Sequence, residues 1–236
     1  MNGKKVNAVL PAAGIGTRFG AQKPKQFTEV DGKPIICYTI EAFQSIPWIE
    51  KVVVVISEDW MEFTQEIIDI NKYDKVKLVI GKDTRHRSIN VGVNSIESSA
   101  DDIVIVHDAV RPFLKEDFLK QLVEQAIINK AAGAVRALVS TVVKCDVDGF
   151  MESSLVRSQY RESHTPQAFQ FEVLENAYKQ CSQEDFNHGT ECLDLVQKYC
   201  GVRPKLVDGP EYLWKVTHQK DIILMESFLQ REKEHR

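Results

Sequence analysis

Short apolar runs alternate with longer amphipathic stretches along the first part of the chain. The runs are nearly continuous in apolar residues, which is typical of parallel strands covered on both faces. We predict strands at Val6–Leu10, Val52–Ile56, Val76–Ile80, Ile103–Val106 and Ala134–Val139. Helical spacing predicts one helix from Pro34 and others at Asp59–Asn71, His86–Ser98 and Lys115–Lys130. Parallel strands need crossover connections, so this alternation predicts a doubly wound α/β fold with a mostly parallel sheet.

The rhythm changes after Val139. Ser140–Gln170 has β-branched pieces, a turn signal at Asp148-Gly149 and little helical periodicity, which predicts an extended β-arm inserted into the main fold. Beyond it we predict helices at Glu172–Gln183, Thr190–Cys200 and Gln219–Arg231, with a strand pair at Lys205–Val207 and Trp214–Val216. The expected organisation is a single domain over residues 1–236 with the arm at about 140–170.

Composition narrows the class of protein. With 43% hydrophobic and 27% charged residues the chain is globular, and 30 Lys and Arg against 34 Asp and Glu give a net charge of −4. That slight acidity argues against a general nucleic-acid binder, and the chain has no apolar window of ~18 residues for a membrane partner. Asn7 and Pro11 interrupt the N-terminal apolar run, which favours a buried strand over a signal peptide. Five cysteines without a Cys-x-x-Cys pair indicate reduced thiols in a cytoplasmic protein.

The loop after the first predicted strand is the strongest candidate for ligand binding. It reads Pro11-Ala-Ala-Gly-Ile-Gly-Thr-Arg-Phe19, and Lys23-Pro-Lys-Gln-Phe27 follows. Small residues let backbone N–H groups approach a phosphate chain, and ligands of open α/β sheets bind beyond the carboxyl ends of strands. Phe19 stands where a dinucleotide-binding fingerprint has its third glycine, which argues against a dehydrogenase. Arg18 and Lys25 are candidates to meet a polyphosphate, and a plain glycine turn with surface charges is the alternative.

The motifs of this chain resemble those of the cytidylyltransferases that act on methylerythritol phosphate and ribitol phosphate. They follow in family order over nearly the whole chain: Pro11–Arg18 with Pro24-Lys25-Gln26, Gly81–Ser88, His107–Pro112, Thr165-Pro-Gln167 and Trp214–Thr217. Further segments are similar to the animal, ribitol-5-phosphate branch of that family, at Thr84–Ile89, Ala131–Val135, Leu138–Val143, Gly189–Leu193 and Leu213–Thr217. Vertebrate members of that branch carry a further C-terminal domain.

The resemblance implies a Rossmann-like nucleotidyltransferase fold and a reaction. The expected reaction is Mg²⁺-dependent transfer of CMP from CTP to D-ribitol 5-phosphate, giving pyrophosphate and CDP-ribitol for ribitol-phosphate-containing glycans. The related alternative acceptor is 2-C-methyl-D-erythritol 4-phosphate, and a catalytically inactive nucleotide-binding or scaffold domain is the alternative of another class. The family also implies a homodimer whose arms embrace.

The resemblance further implies roles for individual residues. Those expected to hold the nucleotide are Ala12, Ala13, Gly14, Gly16, Arg18, Lys25, Gly81, Asp83, Ser88, Asp108 and Lys215. Those expected to hold the sugar phosphate are Asp108, Arg111, Thr141, Arg157, Thr165 and Lys215, with Arg157 supplied across the dimer. Catalysis is assigned to Arg18, Lys25 and Lys215. A backbone carbonyl near Ala12–Gly14 is expected to meet the cytosine amino group, and Mg²⁺ is expected on the substrate phosphates, with Asp108 as a candidate ligand.

The chemistry can also be argued without the family. A phosphate monoester has its second pKa near 6, so it is largely dianionic at pH 7 and attacks without a general base. The chain accordingly has no convincing Ser/His/Asp or Cys/His nucleophile set. Catalysis then rests on cations and backbone donors that position and neutralise phosphates. Structural alternatives stay open for His107 as a core residue, Asp108 in a turn, Asp83 and Ser88 as helix caps, Arg111 on the surface, and Arg157 and Arg161 as solvated charges.

Overall fold

The computed structural model describes residues 3–14, 19 and 23–234 of the chain. The strands in chain order are β1 (Val6–Pro11), β2 (Glu29–Val30), β3 (Lys33–Pro34), β4 (Lys51–Ile56), β5 (Val76–Ile80), β6 (Ile103–Val106), β7 (Ala131–Ala137), β8 (Val143–Cys145), β9 (Met151–Ser154), β10 (Arg161–Gln170) and β11 (Lys205–Asp208). The α-helices are α1 (Ile35–Gln44), α2 (Met61–Asn71), α3 (Arg85–Asn94), α4 (Glu116–Asn129), α5 (Phe171–Gln180), α6 (Gln183–His188), α7 (Cys192–Cys200) and α8 (Lys220–Glu234).

Seven strands form the central sheet in the order β11-β7-β10-β6-β1-β4-β5. β1 pairs in parallel with β4 and β6, and β4 pairs in parallel with β5. β10 is antiparallel to both of its neighbours, β6 and β7, while β11 is parallel to β7. The valine and isoleucine runs of β1, β4 and β6 are buried because helices cover both faces. The predicted mostly parallel α/β sheet is confirmed.

Two apolar layers enclose the sheet. On one face, α1, α2 and α4 contribute side chains such as Ile40, Ile68 and Leu122. On the other face, α3, α5 and α7 contribute Ile89, Leu174 and others. The helix predicted from Pro34 begins one residue later, with Pro34 at its N-cap position. Helices on both faces are what a doubly wound sheet requires.

Several predicted boundaries were wrong. The strand predicted at Ala134–Val139 is β7, which runs from Ala131 to Ala137. α3 ends at Asn94 rather than Ser98, and α7 begins at Cys192 rather than Thr190. The helix predicted over Glu172–Gln183 is α5, which ends at Gln180, because Ser182 caps a separate helix, α6, by accepting the Asp185 N–H.

The predicted strand pair near the C-terminus is also wrong. Lys205–Val207 lies in β11 and pairs with β7 rather than with Trp214–Val216. Trp214 follows a short 3₁₀ helix at Glu211–Leu213, and the Val216 N–H donates to the Val110 carbonyl at 2.9 Å. Val216 packs with Met225 of α8, so α8 holds this extended segment against the loop that follows β6.

The predicted arm is shorter than expected. A hairpin of β8 and β9 projects from the fold with exposed apolar side chains, including Val147, Phe150 and Met151. The second half of the predicted arm is β10, whose residues Thr165–Phe169 are buried inside the central sheet. The polar sequence of β10 does not predict an inner strand. Its buried polar side chains are Thr165 and Gln167, which hydrogen-bond to Asp108 and Glu191. Helices of the described residues are all too short or too polar to cross a bilayer.

Candidate active site

Two strand-to-helix loops face each other across a cleft of about 370 Å³. One side is the end of β1 with the loop beyond it, and the other is the connection from β5 into α3. The lining residues are Pro11, Ala13, Gly14, Lys82, Asp83, Thr84, Arg85 and Ser88. Both loops lie at the carboxyl ends of parallel strands, where open α/β sheets bind ligands. The structure therefore brings together Ala13, Gly14, Asp83 and Ser88, four of the residues expected to hold the nucleotide.

Close backbone approach shapes this cleft. A Cβ at Gly81 would lie 2.6 Å from the Cβ of Ala13, so only glycine allows the two loops to meet. The Ser88 hydroxyl accepts the Lys82 N–H and donates to the Lys82 carbonyl, each at 3.0 Å. Ser88 thus fixes the loop from inside, whereas exposed Asp83 pairs with Arg87 at 3.5 Å. Thr84, rather than Asp83 or Ser88, caps α3.

Gln26 organises the start of the loop after β1, a role that its motif alone does not predict. Its buried amide donates to the Ala12 carbonyl at 2.6 Å and to the Gly14 carbonyl at 3.0 Å. These are the carbonyls expected to lie near the cytosine amino group. The signal that could have identified it is a glutamine directly after the Pro24-Lys25 pair, within the motif that follows the loop. Gly16 and Arg18 lie outside the described residues.

Asp108 forms the centre of a cluster of three cations at the end of β6. Its Oδ1 atom lies 2.8 Å from Arg85 Nη1. Its Oδ2 atom lies 3.0 Å from Lys215 Nζ and 3.1 Å from Arg111 Nε. The Asp108 N–H donates to the Thr165 hydroxyl at 3.0 Å. Four of the predicted residues, Asp108, Arg111, Thr165 and Lys215, therefore meet, together with Arg85 from the Gly81–Ser88 motif.

The cluster is held by a rigid turn. His107 is fully buried, and its Nε2 atom lies 3.0 Å from the Arg111 carbonyl across the turn after β6. Arg111 also donates from Nη1 to the Leu213 carbonyl, which ties the turn to the segment that carries Lys215. The core interpretation of His107 agrees with this geometry, and the surface alternative for Arg111 is wrong because Arg111 is buried.

Electrostatics keep the Asp108 carboxylate charged. Burial by itself raises the pKa of Asp108, but Arg85, Lys215 and Arg111 outweigh burial and hold that pKa well below its usual range. For His107, burial lowers the pKa from 6.5 to about 4, so its ring is neutral at pH 7. The site thus presents fixed positive charge without a titrating base at its centre.

Lys25 contacts the segment that carries Lys215. Its Nζ atom donates to the Val216 carbonyl at 3.2 Å, next to Lys215 in the chain. Lys25, Asp108, Thr165 and Lys215 are remote in sequence, but β1, β6 and β10 are neighbours in the sheet and bring the segments that carry them into one region.

The arm residues lie apart from these contacts. Thr141 is exposed at the base of the hairpin. Arg157 is exposed, and its Nη1 atom donates to the Val139 carbonyl at 2.7 Å. Arg161 donates to the Ser158 and Tyr160 carbonyls. Within one chain, therefore, the predicted sugar-phosphate residues Thr141 and Arg157 belong to the arm rather than to the Asp108 cluster.

The residues of the cluster do not fit a metal ion held by protein ligands. Both Asp108 oxygens are engaged by cationic side chains at 2.8–3.1 Å. Across residues 3–14, 19 and 23–234, no group of three or more His, Cys, Asp or Glu side chains is arranged for metal binding. Such a site suits phosphate oxygens and leaves Asp108 unsuited as a metal ligand.

Comparisons with known proteins agree with this geometry. The chain is 45% identical over 229 residues to the D-ribitol-5-phosphate cytidylyltransferase of Xenopus tropicalis. That alignment covers 94% of this chain and 56% of the Xenopus protein. The chain is 44% identical over 231 residues to the Homo sapiens protein of the same name, covering 95% of this chain and 51% of the other. The chain thus spans about half the length of these curated relatives.

Bacterial proteins match over their full length. The 2-C-methyl-D-erythritol 4-phosphate cytidylyltransferase of Syntrophus aciditrophicus is 32% identical, covering 97% of each chain. The crystal structure of the Francisella tularensis 2-C-methyl-D-erythritol 4-phosphate cytidylyltransferase superposes with a TM-score of 0.79 at 26% identity, covering 95% of this chain and 99% of that one. The family model described as IspD, 2-C-methyl-D-erythritol 4-phosphate cytidylyltransferase, matches residues 6–231. The chain therefore belongs to the IspD family of cytidylyltransferases.

Proposed function

We propose that this protein transfers CMP from CTP to D-ribitol 5-phosphate, releasing pyrophosphate and CDP-ribitol. The observation that carries the proposal is the Asp108 cluster, where Arg85 and Lys215 lie beside a cleft lined by backbone of two strand-end loops. Such an arrangement suits a reaction in which two anions, CTP and the acceptor phosphate, must meet and a third anion, pyrophosphate, must leave. The animal relatives at 43–45% identity, against 30–32% for the bacterial proteins, favour ribitol 5-phosphate as the acceptor.

The nucleotide is proposed to occupy the cleft between the two loops. Ala13 and Gly14 line one side of the cleft, and their small size would let a base and ribose lie close to the backbone there. Gln26 orients the Ala12 and Gly14 carbonyls, one face of which can accept the cytosine amino group. Uracil has an acceptor at that position and would leave the carbonyl unpaired, which costs about 1–3 kcal/mol.

Three cations are proposed to act on the phosphates. The acceptor phosphate oxygen attacks the α-phosphorus of CTP, and the bond to the pyrophosphate leaving group breaks. Lys25 and Lys215 lie on either side of Val216, placed to neutralise the triphosphate and the acceptor phosphate. Arg18, which lies outside the described residues, is proposed to join them from the loop after β1. Each preorganised charge of this kind contributes about 3 kcal/mol to the transition state.

Asp108 is proposed to orient the acceptor and its cationic partners. Arg85 and Lys215 are 29% and 31% exposed, whereas Arg111 is 8% exposed. Arg111 therefore stays as the structural counter-ion, while Arg85 and Lys215 can turn toward phosphate. Thr165 supports Asp108 from β10 and is proposed to contact the sugar phosphate. A divalent cation is proposed to enter as part of the CTP–Mg²⁺ substrate, because the described residues supply no protein cage for it.

A homodimer is proposed through the arm. The hairpin of β8 and β9 exposes Val147, Phe150, Met151 and, just beyond it, Val156, and apolar surface of this kind is buried most simply against a second copy. Arg157, at the base of the hairpin, is proposed to reach the partner's acceptor phosphate. Five unpaired thiols support a cytoplasmic setting, where thiols stay reduced.

The test is a pyrophosphate-release assay with CTP and Mg²⁺ against a panel of polyol phosphates. We expect ribitol 5-phosphate to react faster than 2-C-methyl-D-erythritol 4-phosphate, with the CDP-polyol identified by mass. Lys25→Ala is expected to lower turnover by about 10²-fold, and Lys120→Ala, an exposed lysine on α4, is the matched control. A reversed preference would assign the methylerythritol substrate, and turnover of neither would favour a binding domain.

A further inference from the structure

The loop between α6 and α7 contacts the strand that carries Thr165, and one side chain makes the contact. Glu191 precedes α7, and its Oε1 atom accepts the Leu193 N–H at 3.0 Å, which caps the helix. The same oxygen accepts the side-chain amide of Gln167 at 2.7 Å. The other carboxylate oxygen accepts the Ser163 hydroxyl. Glu191 therefore joins the start of α7 to two positions of β10.

Those two positions bracket an irregularity in β10. The pairing register of β10 with β7 shifts between Ser163 and Gln167. Pro166 lies within the shift and supplies no N–H to the ladder. The buried Gln167 amide also donates to the His164 carbonyl at 3.2 Å and lies 3.3 Å from the Ser163 hydroxyl. Gln167 thus closes the bulge from within, and Glu191 holds Gln167 from outside.

Thr165 is the residue that this bulge presents to the site. Its hydroxyl accepts the Asp108 N–H at 3.0 Å, and it is 4% exposed. Asp108 in turn holds Arg85 and Lys215 through its carboxylate. Hydrogen bonds therefore link Glu191 to Gln167 and Gln167 to the His164 carbonyl, and the next residue along the backbone, Thr165, bonds to Asp108 on the acceptor side of the proposed site.

We infer that Glu191 is a positioning residue for the acceptor half of the site, setting where the bulge places Thr165 against Asp108. The inference rests on the proposed function, since it assigns Glu191 to binding of the polyol phosphate rather than of CTP. A helix cap alone needs only the Leu193 contact. A helix cap does not require the contacts to Ser163 and Gln167. These contacts join Glu191 to β10 and not to the nucleotide loops.

Two substitutions separate positioning from capping. Glu191→Ser keeps a good N-cap hydroxyl but is too short to reach β10, so helix stability is retained. Glu191→Gln keeps an accepting oxygen for Gln167 and Leu193, and its amide can donate to the Ser163 hydroxyl. For Glu191→Ser we expect KM for ribitol 5-phosphate to rise about tenfold, or about 1.4 kcal/mol, with KM for CTP changed less than about twofold. Glu191→Gln is expected to restore the acceptor KM.

A second readout does not depend on activity. The Asp108 backbone N–H donates to the Thr165 hydroxyl. Hydrogen exchange of this N–H is expected to be about tenfold faster in Glu191→Ser than in the wild type or in Glu191→Gln. Unchanged acceptor KM together with unchanged Asp108 exchange in Glu191→Ser would overturn the inference. If Glu191→Ser raises KM for ribitol 5-phosphate and KM for CTP equally and also lowers the free energy of unfolding, Glu191 serves only as a helix cap. If the wild type forms no CDP-polyol, the proposed function fails, and Asp108 exchange alone decides the positioning role.

Discussion

Asp108 shows how a single buried carboxylate organises cations before any substrate binds. It is 6% exposed at its side chain and contacts Arg85, Lys215 and Arg111 at 2.8–3.1 Å. Without this negative charge the three side chains would repel one another in a region shielded from water. Removing one partner of a buried ion pair typically costs about 3–5 kcal/mol, because the remaining charge has no compensation.

Asp108→Asn is therefore expected to lower the free energy of unfolding by about 3 kcal/mol at pH 7, measured by urea denaturation. Pyrophosphate should stabilise this variant more than the wild type, because the anion no longer competes with Asp108 for Arg85 and Lys215. Asp69→Asn, at an exposed carboxylate on α2, is the control and should show neither effect. Equal stabilisation of both proteins by pyrophosphate would contradict the proposed exchange of partners.

His107 links the site to the stability of the fold. Burial lowers its pKa from 6.5 to about 4, so the folded ring stays neutral where the unfolded one binds a proton. This contribution to stability is fully present above pH 6.5 and is lost as the pH falls toward 4.

His107→Gln keeps a donor for the Arg111 carbonyl but does not titrate. Between pH 7 and pH 5 the variant should therefore lose about 2 kcal/mol less unfolding free energy than the wild type. The measurement is urea unfolding at both pH values. His188→Gln, at an exposed histidine, should follow the wild type. A variant with the same pH dependence as the wild type would show that His107 titrates normally.

At the scale of elements, the loop after β1 depends on a residue that lies outside it. The Gln26 amide belongs to a short 3₁₀ helix at Lys25–Phe27, and it holds the Ala12 and Gly14 carbonyls. Ala12, Ala13 and Gly14 have small side chains or none, which suits close approach by the proposed nucleotide. A neighbouring element therefore holds the carbonyls of this described part of the loop.

Gln26→Leu conserves volume and removes the amide donors. We expect KM for CTP to rise about tenfold, equivalent to about 1.4 kcal/mol, while KM for the acceptor stays unchanged. Steady-state kinetics with each substrate varied in turn provides the measurement. Gln65→Leu on the exposed face of α2 is the matched control. A rise confined to the acceptor KM would contradict the proposed location of the nucleotide.

β10 explains why the arm was overestimated. Its sequence, Arg161-Glu-Ser-His-Thr-Pro-Gln-Ala-Phe-Gln170, lacks the apolar run that marks the other inner strands. Thr165 and Gln167 are buried there because Asp108 and Glu191 satisfy their polar groups. A local pattern shows polarity but carries no information about these distant partners. The true projecting element is the hairpin of β8 and β9.

At the scale of the whole molecule, the proposed dimer makes the arm part of the catalytic machinery. Lys25 is partly buried beside Val216 in the main fold, while Arg157 lies on the arm and contacts its own Val139 carbonyl. Arginine suits a shared phosphate site, because its planar fork donates two parallel hydrogen bonds.

Mixing two inactive variants, Lys25→Ala and Arg157→Ala, tests this arrangement. If Arg157 serves the partner's site, a mixed dimer has one site with both lesions and one with neither, so up to half of the activity per mixed dimer returns. If Arg157 serves its own chain, every site keeps one lesion and no activity returns. Native mass spectrometry verifies subunit exchange, and Arg161→Ala mixed with Lys25→Ala is the comparison variant.

The architecture and the candidate chemistry follow from the sequence alone. Apolar runs predict β1, β4 and β6 because burial on both faces leaves a local hydrophobic signature, and the edge strand β5 carries a similar run although it is only partly buried. The ordered motifs identified the family and the residues around Asp108, Arg111 and Lys215. These signals are readable because each lies within a short stretch of chain.

Only the tertiary structure decided which residues complete the site. Arg85, Gln26 and Glu191 gain their proposed roles from contacts to Asp108, to the Ala12 and Gly14 carbonyls, and to Gln167, which a pattern of neighbouring residues does not encode. The same is true of β10, whose polar residues enter the sheet because partners distant in sequence satisfy them. The physical reason is that hydrophobic periodicity reports burial along one element, whereas charge pairing and hydrogen bonding depend on which elements the sheet makes neighbours.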